Sequence, residues 1–239
     1  MNNNFLEGLG ALLLSGLPVL VTFILIAGVI ALVGGYYYSS QSKQRAADLK
    51  RVAEELGFEF LPEDGGSFLS NLGRSPLFSQ GMYYKRLSNL MRGQTRHLAV
   101  AIFDYQYSTD STKTRKTLHH TVAAFQMDSP SLPPFSLRPK SVWDKIGAWM
   151  GYKDINFPQA PVFSKNYFLN GSDEMALRNL FTDQILAFFE ANQGLSVETA
   201  RDWLLVYRFN DRVEPWAIHM LLEDGLRVVD QLHPEREGS

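Results

Sequence analysis

Apolar and polar positions divide the chain into stretches with different periods. From Gly8 through Gln41 no side chain carries a formal charge, and Leu12 to Val33 is almost unbroken apolar sequence. As a helix that run would span roughly 33 Å, the thickness of a bilayer's hydrocarbon core. A cleavable leader would favour a basic start and a shorter apolar core, whereas MNNNFLEG carries only Glu7. The pattern therefore predicts a retained transmembrane helix rather than a signal peptide or a buried helix. Tyr36, Tyr37 and Tyr38 follow it as an interfacial belt would. Lys43, Arg45, Lys50 and Arg51, opposed only by Asp48, then put the C-terminal part in the cytoplasm. The expected placement is the cell inner membrane, single-pass. Ala27, Ala31 and Gly35 repeat a small residue every fourth position, a pattern that lets a second membrane helix pack closely.

Beyond the run the period changes. Ala46, Leu49, Val52, Ala53 and Leu56 lie at helical spacing and Gly57 offers a stop, which predicts a juxtamembrane amphipathic helix over 42–57. FEFLPEDGG reads as a short extended segment, and the next 28 residues carry no durable period. Period-two alternation from Arg96 to Tyr107 predicts a strand, and a return strand runs from about Arg115 to Met127, with polar STDSTKT between them. Ser141–Met150 reads as a helix. The stripe Leu177, Leu180, Phe181, Ile185, Phe188 and Phe189 predicts another, capped by Ser172 and ended by Gly194. LSVETARDWLLVYRFN reads as a second hairpin. A last helix starts near Pro215 and packs through Trp216, Met220, Leu221, Leu222, Leu226 and Val229.

Strands and helices without βαβ alternation predict an α+β fold in which a single N-terminal transmembrane helix precedes a globular domain of antiparallel hairpins and packed helices. The expected divisions are 1–41 for tail and anchor, 42–57 for the juxtamembrane helix, 58–233 for the globular domain and 234–239 for a polar tail.

Composition narrows the chemistry. The 239 residues carry a net charge of -2 and no cysteine, which excludes disulfides and thiolate chemistry and gives no reason to expect nucleic acid. Asp104 and the adjacent pair His119 and His120 form the one acid/base neighbourhood, since a hairpin can set a carboxylate opposite an imidazole. Adjacent strand residues point to opposite faces, however, so the two histidines are poorly spaced as metal ligands, and neither a metal site nor a cofactor is expected. No phosphate loop and no GxSxG elbow is present. Lys113, Arg115 and Lys116 form a basic rim on the hairpin that suits an acidic partner or a lipid headgroup, or serves solubility alone.

The segments FDYQY, TVAAFQ, LPPFSLRP, KDINF, FSKNYFLNG and DEMALRNLF resemble, in this order, an uncharacterised family of bacterial single-pass membrane-anchored proteins, over roughly residues 45 to 230. The resemblance implies an envelope-associated interaction module and transfers no catalytic residue. The function expected from the sequence is thus a membrane-anchored interaction or scaffold protein, more a binder than an enzyme. Its expected partners are the lipid bilayer and either a membrane protein or a second copy, in an oligomeric membrane complex. The alternative is a membrane-tethered enzyme using Asp104 with His119 or His120.

Overall fold

The helical register that ends at Gly57 begins far upstream. In the computed structural model, α1 (Asn3–Leu56) joins the apolar run and the amphipathic segment into one helix. The structure describes residues 3–63, 66–73, 75–79, 83–96, 98–109, 116–127, 132–141 and 153–232, without the side chains of 3–20, 34, 35, 37–39, 71 and 83. By contact density the chain divides into two units, Met1–Ala47 and Asp48–Ser239.

In the first unit the expected anchor is corrected. Leu12–Leu20 lies outside the described side chains, and the exposed apolar stretch that is described runs from Val21 to Val33. Among the described residues no helix is long and apolar enough to cross a membrane. The expected single-pass helix and the lipid bilayer as partner lose their basis with it. So do the inner-membrane placement with a cytoplasmic C-terminal domain and the membrane-anchored scaffold built on them. Ala27 and Ala31 are exposed on α1, and Gly35 lies outside the described side chains.

The second unit is α+β, an open antiparallel sheet with helices packed on it. Eight strands run in the order β1-β2-β3-β4-β8-β7-β5-β6, each paired antiparallel with its neighbours. They are β1 (Glu59–Glu63), β2 (Tyr83–Thr95), β3 (Leu98–Thr109), β4 (Lys116–Gln126), β5 (Phe135–Pro139), β6 (Tyr167–Gly171), β7 (Leu195–Ala200) and β8 (Trp203–Arg208). β3 and β4 occupy the expected strands, and β7 with β8 forms the expected second hairpin. β2 is the strand that periodicity concealed. Its left-handed residues Tyr84 and Asn89 accompany register shifts that break the alternation.

Both faces of the sheet are covered, so its central strands are buried on alternate positions of either parity. One face meets the last turns of α1, through Leu49, Val52 and Ala53, together with four later helices. These are α4 (Pro161–Asn166), α5 (Glu174–Leu180), α6 (Asp183–Ala191) and α7 (Ile218–Leu232). The expected helix on the Phe188–Phe189 stripe is therefore two helices. Asp173, not Ser172, caps the first by accepting from the Ala176 amide at 2.9 Å. α7 follows a 3₁₀ turn at Pro215–Ala217 and buries Leu221, Leu222, Leu226 and Val229. Trp216 and Met220, expected to pack, are exposed at 74% and 59%. Gly225 lets α7 approach β4: a Cβ there would stand 2.3 Å from the Phe125 ring. The opposite face is covered by α2 (Ser67–Leu72) and α3 (Pro76–Ser79), whose Phe68, Leu72, Leu77 and Phe78 pack on Phe103, Tyr105 and Leu205. Most of the expected Ser141–Met150 helix lies outside the described residues.

Candidate functional site

Strand register decides what the β3–β4 hairpin brings together. Tyr105 pairs with His120 and Gln106 with His119, while Asp104 pairs with Thr121. Paired residues share a face, so Asp104 looks to one side of the sheet and His120 to the other. Only His119 shares the Asp104 face, displaced along the strand. The Asp104 carboxylate is buried and accepts from Asn89 Nδ2 and Thr121 Oγ1, each at 2.9 Å, with Arg212 Nε at 3.6 Å. Thr121 in turn receives the Val213 amide at 3.0 Å on its hydroxyl. Asp104 therefore ties β2, β3 and β4 to the loop before α7. The cavity at this position, bordered by Asp104, His119, His120 and Arg212, measures about 10 Å³, room for about one water and not for a substrate.

His120 faces the side of α2 and α3. Its ring stacks on Tyr107 at 5.6 Å and meets Tyr207 and Phe209 edge-on at 5.5 and 5.3 Å. Burial, with the Arg138 charge in support, pulls its pKa down to about 3, so the imidazole is neutral at physiological pH. Neither ring nitrogen reaches a hydrogen-bond partner, although the Tyr105 backbone lies close enough to favour the proton slightly.

Beside this ring lies a buried ion pair that periodicity did not disclose. Ser136 of β5 pairs with Glu198 of β7, which places Arg138, two residues along, on the same face. Arg138 Nε donates to Glu198 Oε1 at 2.8 Å and Nη2 donates to the same oxygen. The Tyr207 hydroxyl donates to that oxygen at 2.6 Å, and the Leu77 amide of α3 donates to Oε2 at 2.9 Å. Burial disfavours the Arg138 charge, but Glu198 together with Tyr207 and Tyr107 more than offsets it and holds the guanidinium above its ordinary value. Burial also raises the phenols of Tyr105, Tyr107 and Tyr207. Burial thus keeps the imidazole neutral and the three phenols protonated at physiological pH. The network clamps β5, β7, β8 and α3. Its sequence signal is a lone Glu198 sharing a period-two face with Ser196 and Ala200, a pattern that reads as solvent-facing in a sheet with one open side.

A larger opening lies at one end of the same face. Pairing of Arg92 with Ala101, of Ala101 with Ala124, and of Gln126 with Trp203 sets Arg92, Ala101, Gln126 and Trp203 side by side across β2, β3, β4 and β8. The small Ala99 and Ala101 leave a depression between the longer side chains. Phe68 of α2 forms its wall, edge-on to Trp203 at 5.4 Å. The resulting groove measures about 460 Å³ and is completed by Arg201 and Asp202 of the β7–β8 turn. Asp202 Oδ2 accepts from Gln126 Nε2 at 2.8 Å, and Arg92 pairs with Glu59 at 2.7 Å. Arg201 holds a left-handed backbone, φ 55°, and its side chain fills the space a Cβ on Gly73 would need. Sequence reasoning passed over all of these residues, since each alone reads as surface or hairpin turn.

Of the basic rim, Lys113 and Arg115 lie outside the described residues, and Lys116 is exposed at the start of β4. Among the described residues no group of three or more His, Asp or Glu side chains could hold a metal ion.

No family model and no curated protein matches the chain, which removes the support for the uncharacterised membrane-anchored family suggested by FDYQY and the segments after it. Among solved structures, the crystal structure of the mycobacterial trehalose monomycolate transport factor A is similar. It aligns with a TM-score of 0.53 at 19% identity, over 78% of this chain and 90% of that one. At this identity the likeness establishes a shared fold.

Proposed function

We propose that this chain is a transport factor for a glycolipid, acting by binding rather than by turnover. The observation that carries the proposal is the extent of the fold likeness: this chain matches 90% of the chain in the crystal structure of the trehalose monomycolate transport factor. The groove beside Trp203 adds weight, because its volume of about 460 Å³ falls within the range of small-molecule sites. The Asp104 neighbourhood adds weight from the other direction, since its carboxylate is spent on structural hydrogen bonds.

The test is deletion of the gene in its native host, followed by chromatographic and mass-spectrometric comparison of surface-exposed and cell-retained glycolipids. Accumulation of a glycolipid inside the cell, reversed by the wild-type gene, is the expected result. An unchanged distribution refutes the transport role. Normal complementation by an Asp104→Asn, His119→Ala, His120→Leu triple variant that folds supports action without acid/base chemistry at those residues. Loss of complementation by that folded variant argues for an enzyme.

A further inference from the structure

We infer that the groove between α2 and the β7–β8 turn is a carbohydrate subsite, with Trp203 as its stacking platform and Asp202, Arg92 and Arg201 as its hydroxyl-binding groups. The inference rests on the transport reading only for the identity of the sugar's carrier, a glycolipid. The site itself is argued from its own chemistry.

Construction of the groove follows from side-chain size. On this face β3 carries Phe103, Tyr105 and Tyr107 under α2 and α3, then only Ala99 and Ala101 at its other end. Phe68 marks where the helical cover stops. A depression floored by alanine and walled by aromatic rings accepts a flat, rigid body with an apolar face. The C–H face of a pyranose is such a body, and Trp203, only partly buried and braced by Phe68, presents its indole to it.

The polar rim separates a sugar from an anion. Two guanidiniums, Arg92 and Arg201, are matched by two carboxylates, Glu59 on Arg92 and Asp202 on the opposite wall. A phosphate or carboxylate ligand would want uncompensated positive charge. A neutral polyol wants donors and acceptors interspersed, which the guanidiniums and the Gln126–Asp202 pair supply. The Arg92–Glu59 pair is exposed, so little free energy opposes its opening to a ligand hydroxyl. Arg201 is held by its left-handed backbone against the bare backbone of Gly73, so this guanidinium is set in place before a ligand arrives.

The experiment titrates the purified full chain with trehalose, with maltose and with inorganic phosphate, reading tryptophan fluorescence and calorimetric heat. Saturable binding of a disaccharide without phosphate binding is expected. Trp203→Leu should weaken it about tenfold, the order of an aromatic contact plus lost area. Asp202→Asn should weaken it severalfold, and both variants should keep the wild-type circular dichroism and melting cooperativity. Binding of phosphate alone, binding of no sugar, or sugar affinity unchanged in both folded variants each overturns the subsite. These outcomes are separable from the fate of the transport reading. Sugar binding by a protein whose deletion leaves glycolipid distribution unchanged refutes transport and leaves the groove standing. A deletion that blocks export, with a purified protein blind to sugars, does the reverse.

Discussion

Replacing Glu198 by alanine should cost about 4 kcal/mol of stability. The carboxylate is fully buried and receives four donors, two from Arg138, one from Tyr207 and one from the Leu77 amide. Its removal strands a guanidinium that is 3% exposed, a loss worth roughly 3–5 kcal/mol for a broken buried pair. The orphaned Leu77 amide adds about 1 kcal/mol or more at the base of α3. The terms overlap because α3 can shift to readmit water, so their sum is an upper bound. Against a total of about 5–15 kcal/mol the variant should sit near the edge of folding. Urea unfolding followed by circular dichroism gives the value from the midpoint shift at constant slope. The double variant Glu198→Leu, Arg138→Met removes both charges together and should recover at least 2 kcal/mol of the summed single losses. Additive single and double losses, or a Glu198→Ala cost below about 1 kcal/mol, would refute the clamp.

The remaining predictions concern other parts of the same sheet. The folded His120 titrates near pH 3 and an unfolded histidine near 6.5, so between these values the unfolded chain takes a proton that the folded one refuses. Stability is therefore intact above pH 6.5 and falls by about 1.4 kcal/mol per pH unit on acidification, on the order of 5 kcal/mol by pH 3. His120→Leu should remove that slope in urea titrations from pH 7 to 4, and an unchanged slope would assign it to other groups. Gly225→Ala gains about 1 kcal/mol in helix propensity but drives a methyl to 2.3 Å from the buried Phe125 ring; the net should be a loss of about 1–2 kcal/mol in thermal unfolding. Asp104→Asn turns an acceptor oxygen into a donor facing Asn89 or Thr121 and should cost about 1–3 kcal/mol, measured by the same denaturation.

The parts of the fold that were legible share one property: their side-chain parity runs unbroken from end to end. β3 keeps one register against β4, so Ala101, Phe103 and Tyr105 stay on one face and Val100 and Ile102 on the other, and α7 repeats because one of its faces meets the sheet. β2 failed that condition. With left-handed Tyr84 and Asn89 and two register shifts, its side-chain parity resets within the strand and no period survives. The single helix expected around Phe181 failed for a related reason. Phe181 and Thr182 leave the helical path, yet the stripe continues because both helices pack on the same core. The anchor illustrates the opposite error. Apolar composition over Leu12–Val33 reports what a segment avoids and not what it touches, and among the described residues no helix is long and apolar enough to cross a membrane.

The sites were harder to read because both faces of the sheet are covered. When a sheet has one wet face, a charged residue at an alternate position marks the surface, and Glu198 and Arg138 would be assigned there. Here that same alternation places them inside, and only their mutual register, set by a β5–β7 pairing sixty residues apart in sequence, makes burial tolerable. Asp104, His119 and His120 drew notice because they lie close in sequence, yet the strand pleat that brings them near also separates Asp104 from His120. The groove was least visible, being made from what is missing: alanines where neighbouring strand positions carry rings. A binding surface formed by small residues has no motif. It becomes apparent only when the pairing of Arg92 with Ala101 and of Gln126 with Trp203 sets the long side chains around the short ones.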